Sequence, residues 1–232
     1  MTSRTVFIAM AFIFALVGTA QAALEDRGFG EITSGGSGQY RLIYDTVLDI
    51  TWLDFSHTQA GGIWANQSEW AANLEVTIDG HVLDSWRLPG IDGDIPVGSG
   101  YGFAGAHSDG SYSYGYGYNM ANSELGHLFY ETLGNSGYRG TDGSVNDPRG
   151  LINTGIFNHL ENATYWLATE ESSTEAWDFG LNDGYLEILG KDADTFYGIA
   201  VTSGDPVPIP GAIWLLGAGL MGILGFHRKG KK

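Results

Sequence analysis

TYWLATEESSTEAWDFGLNDGYLEIL, residues 164–189, decides the fold class. In residues 176–181, Trp177, Phe179 and Leu181 alternate with Asp178 and Gly180. That is the period of two expected of a strand with one buried face. Asn182-Asp183-Gly184 predicts a tight turn into a further run at 185–189. TYWLAT before it and FYGIAV (196–201) after it add short strand-like runs, so the last third reads as an antiparallel meander.

Working towards the N-terminus, YRLIYDTVLDITWLD (40–54) reads as a hairpin, with β-rich runs at 41–44 and 49–53 around a short turn. IWANQSEWAANL (63–74) predicts a helix of about three turns, with Trp70 and Leu74 on one face. NSELGHLFYETLGN (122–135) is the clearest helix. Asn122 or Ser123 can cap it, Leu125, Leu128, Phe129 and Leu133 form one stripe, and Gly134 stops it. Trp86-Arg87-Leu88-Pro89 ends a short extended piece, because Pro89 biases Leu88 away from helix. Residues 23–39, rich in Gly and Ser towards their end, read as a loose lead-in, and 91–119 as a long irregular stretch. The sum is a single α+β domain with an antiparallel sheet and two helices, spanning residues 40–204.

The two ends differ from this body. Residues 1–22 have the order of a signal peptide: Arg4, an apolar run at 6–17, then Ala20-Gln21-Ala22 as a cleavage site. Residues 205–232 form a tail with Val207-Pro208-Ile209-Pro210, an uncharged apolar stretch at 211–226, then Arg228, Lys229, Lys231 and Lys232. The apolar stretch is short for a membrane span and reads as a helix held at least transiently in the membrane, its basic end cytoplasmic.

Of the 11 Lys and Arg residues, five lie in these ends; residues 23–206 keep six against all 27 acidic residues. So negative a surface repels nucleic acid and anionic membrane. There is no cysteine, which excludes disulfides, thiolate metal sites and cysteine nucleophiles. No His spacing suits zinc and no Gly-x-Ser-x-Gly elbow is present, so the sequence points away from an enzyme.

Four candidate groups remain. Tyr112, Tyr114, Tyr116 and Tyr118 alternate with Gly and Ser, and in an extended loop their rings would share one side, suited to stacking on sugars. Asp183, Glu187, Asp192 and Asp194 offer carboxylates that calcium could bridge; ordinary polar turns are the alternative. Arg87 is expected to pair with a carboxylate at the core edge, or else to face a ligand. Val207-Pro208-Ile209-Pro210 is the candidate sorting motif.

The tail resembles the PEP-CTERM sorting signal of Gram-negative bacteria in its VPLPA-like variant. That resemblance implies processing by an exosortase and export to the cell surface or an extracellular matrix. In the body, LDITWL, the Trp70–Leu74 helix, Trp86-Arg87-Leu88-Pro89, SELGHLFYETLGN, GLINTGIF, YWLATE, AWDFGLNDG and FYGIAV follow one another as in the Lcl C-terminal-like domain, which the chain resembles over about residues 40–204. The resemblance implies a C-type-lectin-like fold, its N- and C-terminal strands paired, and binding of carbohydrate such as exopolysaccharide. Six scattered basic residues are a poor supply for an anionic glycan. The expected function is therefore binding within an extracellular polysaccharide matrix. The alternatives are a structural surface-coat protein without a specific ligand and a glycan-active enzyme.

Overall fold

The computed structural model describes residues 24–58, 62–93, 122–192 and 195–206. The signal peptide at 1–22, Tyr112, Tyr114, Tyr116, Tyr118, Asp194, Val207, Pro208, Ile209, Pro210 and the apolar run at 211–226 lie outside them. The described residues form an α+β domain, mostly antiparallel sheet with two short helices. Its strands are β1 (Leu24–Ser34), β2 (Gly38–Asp45), β3 (Ile50–Leu53), β4 (Glu75–Ile78), β5 (His81–Leu83), β6 (Thr164–Glu170), β7 (Glu175–Gly180), β8 (Leu186–Gly190) and β9 (Val201–Ser203). One sheet has the order β5-β4-β1-β2-β3-β9 and a second has β6-β7-β8. Helix α1 (Trp64–Ala72) precedes β4, and α2 (Glu124–His127) runs directly into a π-helical turn, Leu128–Thr132. Among the described residues no helix is long and apolar enough to cross a membrane.

The period of two sorts the apolar residues into two cores, one on each face of the sheet centre. Ile43, Ile50, Trp52 and Val201 point to one side, where they meet Leu125, Leu128, Phe129 and Leu133 from α2 and its π-helical turn. Their chain neighbours Leu42, Leu53 and Ala200 point to the other, among Trp70, Ala71 and Leu74 from α1 and its end. The second sheet does the same: Tyr165, Leu167, Trp177 and Phe179 join the first core, while Trp166 and Ala176 join the second. A strand covered on both faces must be apolar throughout, which is why β3, Ile-Thr-Trp-Leu, is buried at all four positions.

The helices follow their local chemistry. Ser123 caps α2, its hydroxyl accepting from the Gly126 N–H at 3.2 Å, and Gly134 ends the segment at φ +64°. Helix α1 is 9 residues long and its start has no side-chain cap.

Three expectations are corrected. Residues 23–39 are not a loose lead-in: β1 occupies most of them and pairs with both β2 and β4, so the fold includes residues from Leu24 on, well before Tyr40. Gly30 lies so close to β4 that a Cβ there would stand 2.4 Å from Val76 Cγ1, and Gly28, at φ +89°, sits in a bulge where its N–H bonds to Asp26 Oδ1. The Asn182-Asp183-Gly184 turn is wider than a two-residue hairpin loop, with the Gly180 N–H reaching Tyr185 O at 2.8 Å. Residues 196–201 are not one strand of the meander; they change partners. Tyr197 bonds to β6, Gly198 to His57, and only from Val201 does the chain run as β9 beside β3.

The last strand therefore neighbours β3 rather than β1. The first strand is tied to the chain beyond β9 by a fork, in which Arg27 Nε donates to Asp205 Oδ1 at 2.8 Å and Nη2 to Oδ2 at 2.7 Å.

Candidate functional site

The segment Trp86-Arg87-Leu88-Pro89 and the residues after it strap the two sheets together. Trp86 and Leu88 are buried in the core against α1. Between them, the Arg87 N–H donates to Val201 O and the Val201 N–H to Arg87 O, at 2.9 and 2.8 Å. Two residues on, the Ala168 N–H of β6 donates to Pro89 O at 2.7 Å, and the Ile91 N–H donates to Thr169 Oγ1 at 2.8 Å. An extended strap with alternating side chains can serve a core with one set and a surface with the other.

The surface it forms is the floor of a cleft of about 530 Å³ at the seam of the two sheets. Leu48 and Asp49 of the β2–β3 turn, Ile50 of β3, Ser203, Glu124, and Ala168 and Thr169 of β6 complete the walls. A concave site between layers is the usual place for a small ligand. The two stems of the segment that carries the four alternating tyrosines border it. Asp92 and Asn122 are joined by a backbone bond of 2.9 Å, and the Glu124 N–H donates to Gly90 O at 3.0 Å.

Arg87 dominates the electrostatics. Its Nη1 donates to Glu124 Oε2 at 2.7 Å and its Nη2 to Oε1 at 2.6 Å, a two-toothed pair; Nη1 also reaches Leu88 O at 3.0 Å. The Gly90 N–H gives Glu124 a third bond, at 2.6 Å. The Glu124 bonds raise the Arg87 pKa, outweighing the burial that would lower it, and Asp92 adds to the same effect. Arg87 pairs as the sequence led one to expect, with a partner that no spacing rule named. The other two carboxylates on the described walls are Asp92 and Asp49, and Asp49 accepts from the Tyr44 hydroxyl at 2.8 Å.

The other cations of the body are engaged elsewhere. Arg41 stands over Phe29 and near Asp26; Arg139 and Arg149 face the ring of Tyr138. Lys191 lies over the ring of Trp64, 4.5 Å from its centre, and pairs with Glu170.

Of the carboxylates proposed for calcium, the structure does not gather the three that are described, Asp183, Glu187 and Asp192. Asp183 sits in the turn after β7, its Oδ1 accepting from the Tyr185 N–H at 3.0 Å, whereas Asp192 follows the far end of β8. Five residues of strand put these two roughly 17 Å apart. Glu187 is on β8 opposite Asp178. Among the described residues no three His, Asp or Glu side chains come together as a metal-binding group.

No family model, no curated protein and no solved structure matches the chain.

Sequence reading could not assemble the cleft, because its walls come from five separated segments. One signal was available: Arg87 lies just before the long irregular stretch and Glu124 just after it. An arginine and a glutamate bracketing a loop are good candidates to close its base.

Proposed function

We propose that this chain is an exported surface or matrix protein that binds extracellular polysaccharide, with a C-type-lectin-like body. The observation that carries the reading is the cleft at the seam of the two sheets, formed where the stems of the tyrosine-bearing segment meet the strap. Polar groups and backbone edges suit sugar hydroxyls, and Tyr112, Tyr114, Tyr116 and Tyr118 supply faces for stacking. The signal-like residues 1–22 and the PEP-CTERM-like tail support export, passage through the membrane, and processing by an exosortase at Val207-Pro208-Ile209-Pro210.

Purified full chain titrated with the producing cells' own exopolysaccharide should bind saturably, and Tyr114→Ala with Tyr116→Ala should weaken that binding. The absence of binding would favour a structural coat protein, while release of sugar products would favour a glycan-active enzyme. Repeating the titration with a chelator tests calcium. The intact mass of the exported protein tests the tail, since a retained Lys232 would defeat cleavage.

A further inference from the structure

We propose that the cleft selects amine-bearing saccharides and turns away uronate or sulfated ones. This rests on the polysaccharide-binding reading and adds the charge class of the ligand.

The argument starts from Arg87, the one cationic side chain on the described walls. Recognition of a uronate or sulfate would need its donors. Two of them already hold Glu124 in a fork at 2.7 and 2.6 Å, with a third contact to Leu88 O. Glu124 is fixed in turn by the Gly90 N–H. Three of the five Arg87 N–H groups are thus taken, and an anionic sugar is left with the other two on a guanidinium already neutralised by Glu124, or must open the fork and leave Glu124, 14% exposed, without its cation. Arg27 comes near from the Tyr44 side, over that ring, and is committed to Asp205 and Glu25.

With the fork closed, the charge left over is negative. Asp92 and Asp49 stand on opposite walls, one on the strap and one on the β2–β3 turn. Asp92 is exposed beside the guanidinium, and Asp49 keeps one oxygen on Tyr44 and the rest of its carboxylate at the surface. A protonated sugar amine finds an acceptor on either side, and neighbouring hydroxyls find Thr169 and Ser203. A neutral N-acetyl sugar fits the same space without the charge contact, and an anion meets two carboxylates. A like charge placed opposite a like charge is a strong means of discrimination.

The test titrates the full chain in detergent with three tetrasaccharides of equal length: one of glucosamine, one of N-acetylglucosamine and one of uronic acid. The expected order is amine, then acetylated, then uronate, the first two separated by about three- to tenfold. Asp92→Asn should shrink the preference for the amine over the acetylated probe. Glu31→Gln, an exposed carboxylate on β1 away from the cleft, controls for the general negative charge and should leave that preference unchanged. Equal or tighter binding of the uronate overturns the inference while leaving saccharide binding intact. So does an amine preference that survives Asp92→Asn, or one that Glu31→Gln removes equally. Failure of all three probes to bind overturns the polysaccharide reading and this inference with it.

Discussion

The two ends of the six-stranded sheet share one pattern of backbone pairing and differ in what covers them. At β3 and β9 both faces are packed, one against α2 and its π-helical turn, the other towards α1. At β4 and β5 only one face is packed: Val76 and Ile78 are buried, Glu75 is exposed, and no residue of β5 is buried. Hydrogen bonds therefore set the extent of the sheet, and burial sets where its stability is concentrated. The cleft lies at the doubly covered end, where Ile50 and Ser203 belong to strands that cannot shift without disturbing two cores. Rigid walls hold a binding geometry better than loops do.

The sharpest way to break the contrast is to remove a large side chain from each end. Trp52→Ala, in β3 and without exposed surface, should cost about 3–5 kcal/mol in urea unfolding, whereas Val82→Ala on the open edge should stay within about 0.5 kcal/mol. Comparable losses at the two sites would show the wing to be covered by something outside the described residues.

Next in size is Glu124→Ala. It strips Arg87 of its fork and Gly90 of its acceptor at the seam, and should cost about 2 kcal/mol with the fold retained. A loss near zero would mean that the strap is held by its backbone bonds to β9 and β6 alone.

Gly80→Ala comes third. Asp79 and Gly80 both have positive φ, 50° and 80°, as a two-residue hairpin turn requires, and an alanine there should cost about 1 kcal/mol. Because this hairpin is at the open end, the loss should not spread to binding at the cleft.

The smallest effect concerns pH. Burial raises the Asp183 pKa, so its proton is held more firmly in the folded than in the unfolded chain. The contribution is fully present below the unfolded carboxylate range and is lost as pH rises through the folded value. Asp183→Asn keeps an acceptor for the Tyr185 N–H and removes the charge. Thermal midpoints should show it slightly more stable than the parent at pH 7, by less than about 1 kcal/mol, with the gain vanishing near pH 3. A variant less stable at pH 7 would mean that the ionised carboxylate has a favourable partner.

The same contrast governs how much of the fold the sequence reveals. Ile-Thr-Trp-Leu of β3 and Ala-Trp-Asp-Phe-Gly of β7 announce themselves because burial leaves little room for other residues. In β1 only Gly30 and Ile32 are buried, and its glycines serve a bulge and a close approach to Val76, so the same letters pass for a linker. The β4–β5 hairpin carried a readable signal, Asp79-Gly80 between Val-Thr-Ile and His-Val-Leu, which the surrounding polar residues obscured. In the cleft, Arg87 was legible as an ion-pair arginine. Glu124 was not legible as its partner, because their meeting depends on how a long intervening segment closes.

The fork between Arg27 and Asp205 has a mechanical consequence. Strand β9 has three residues, held by β3 on one side and by the Arg87–Val201 pair on the other, and a strand that short peels open one bond at a time under a pull. Asp205 lies just beyond it, so tension applied from the C-terminal side reaches the Arg27 fork before it reaches β9. The fork passes that tension to β1, an 11-residue strand paired on both sides, where many hydrogen bonds would have to shear together. A strand of three residues is thus shielded from such a pull by one of eleven.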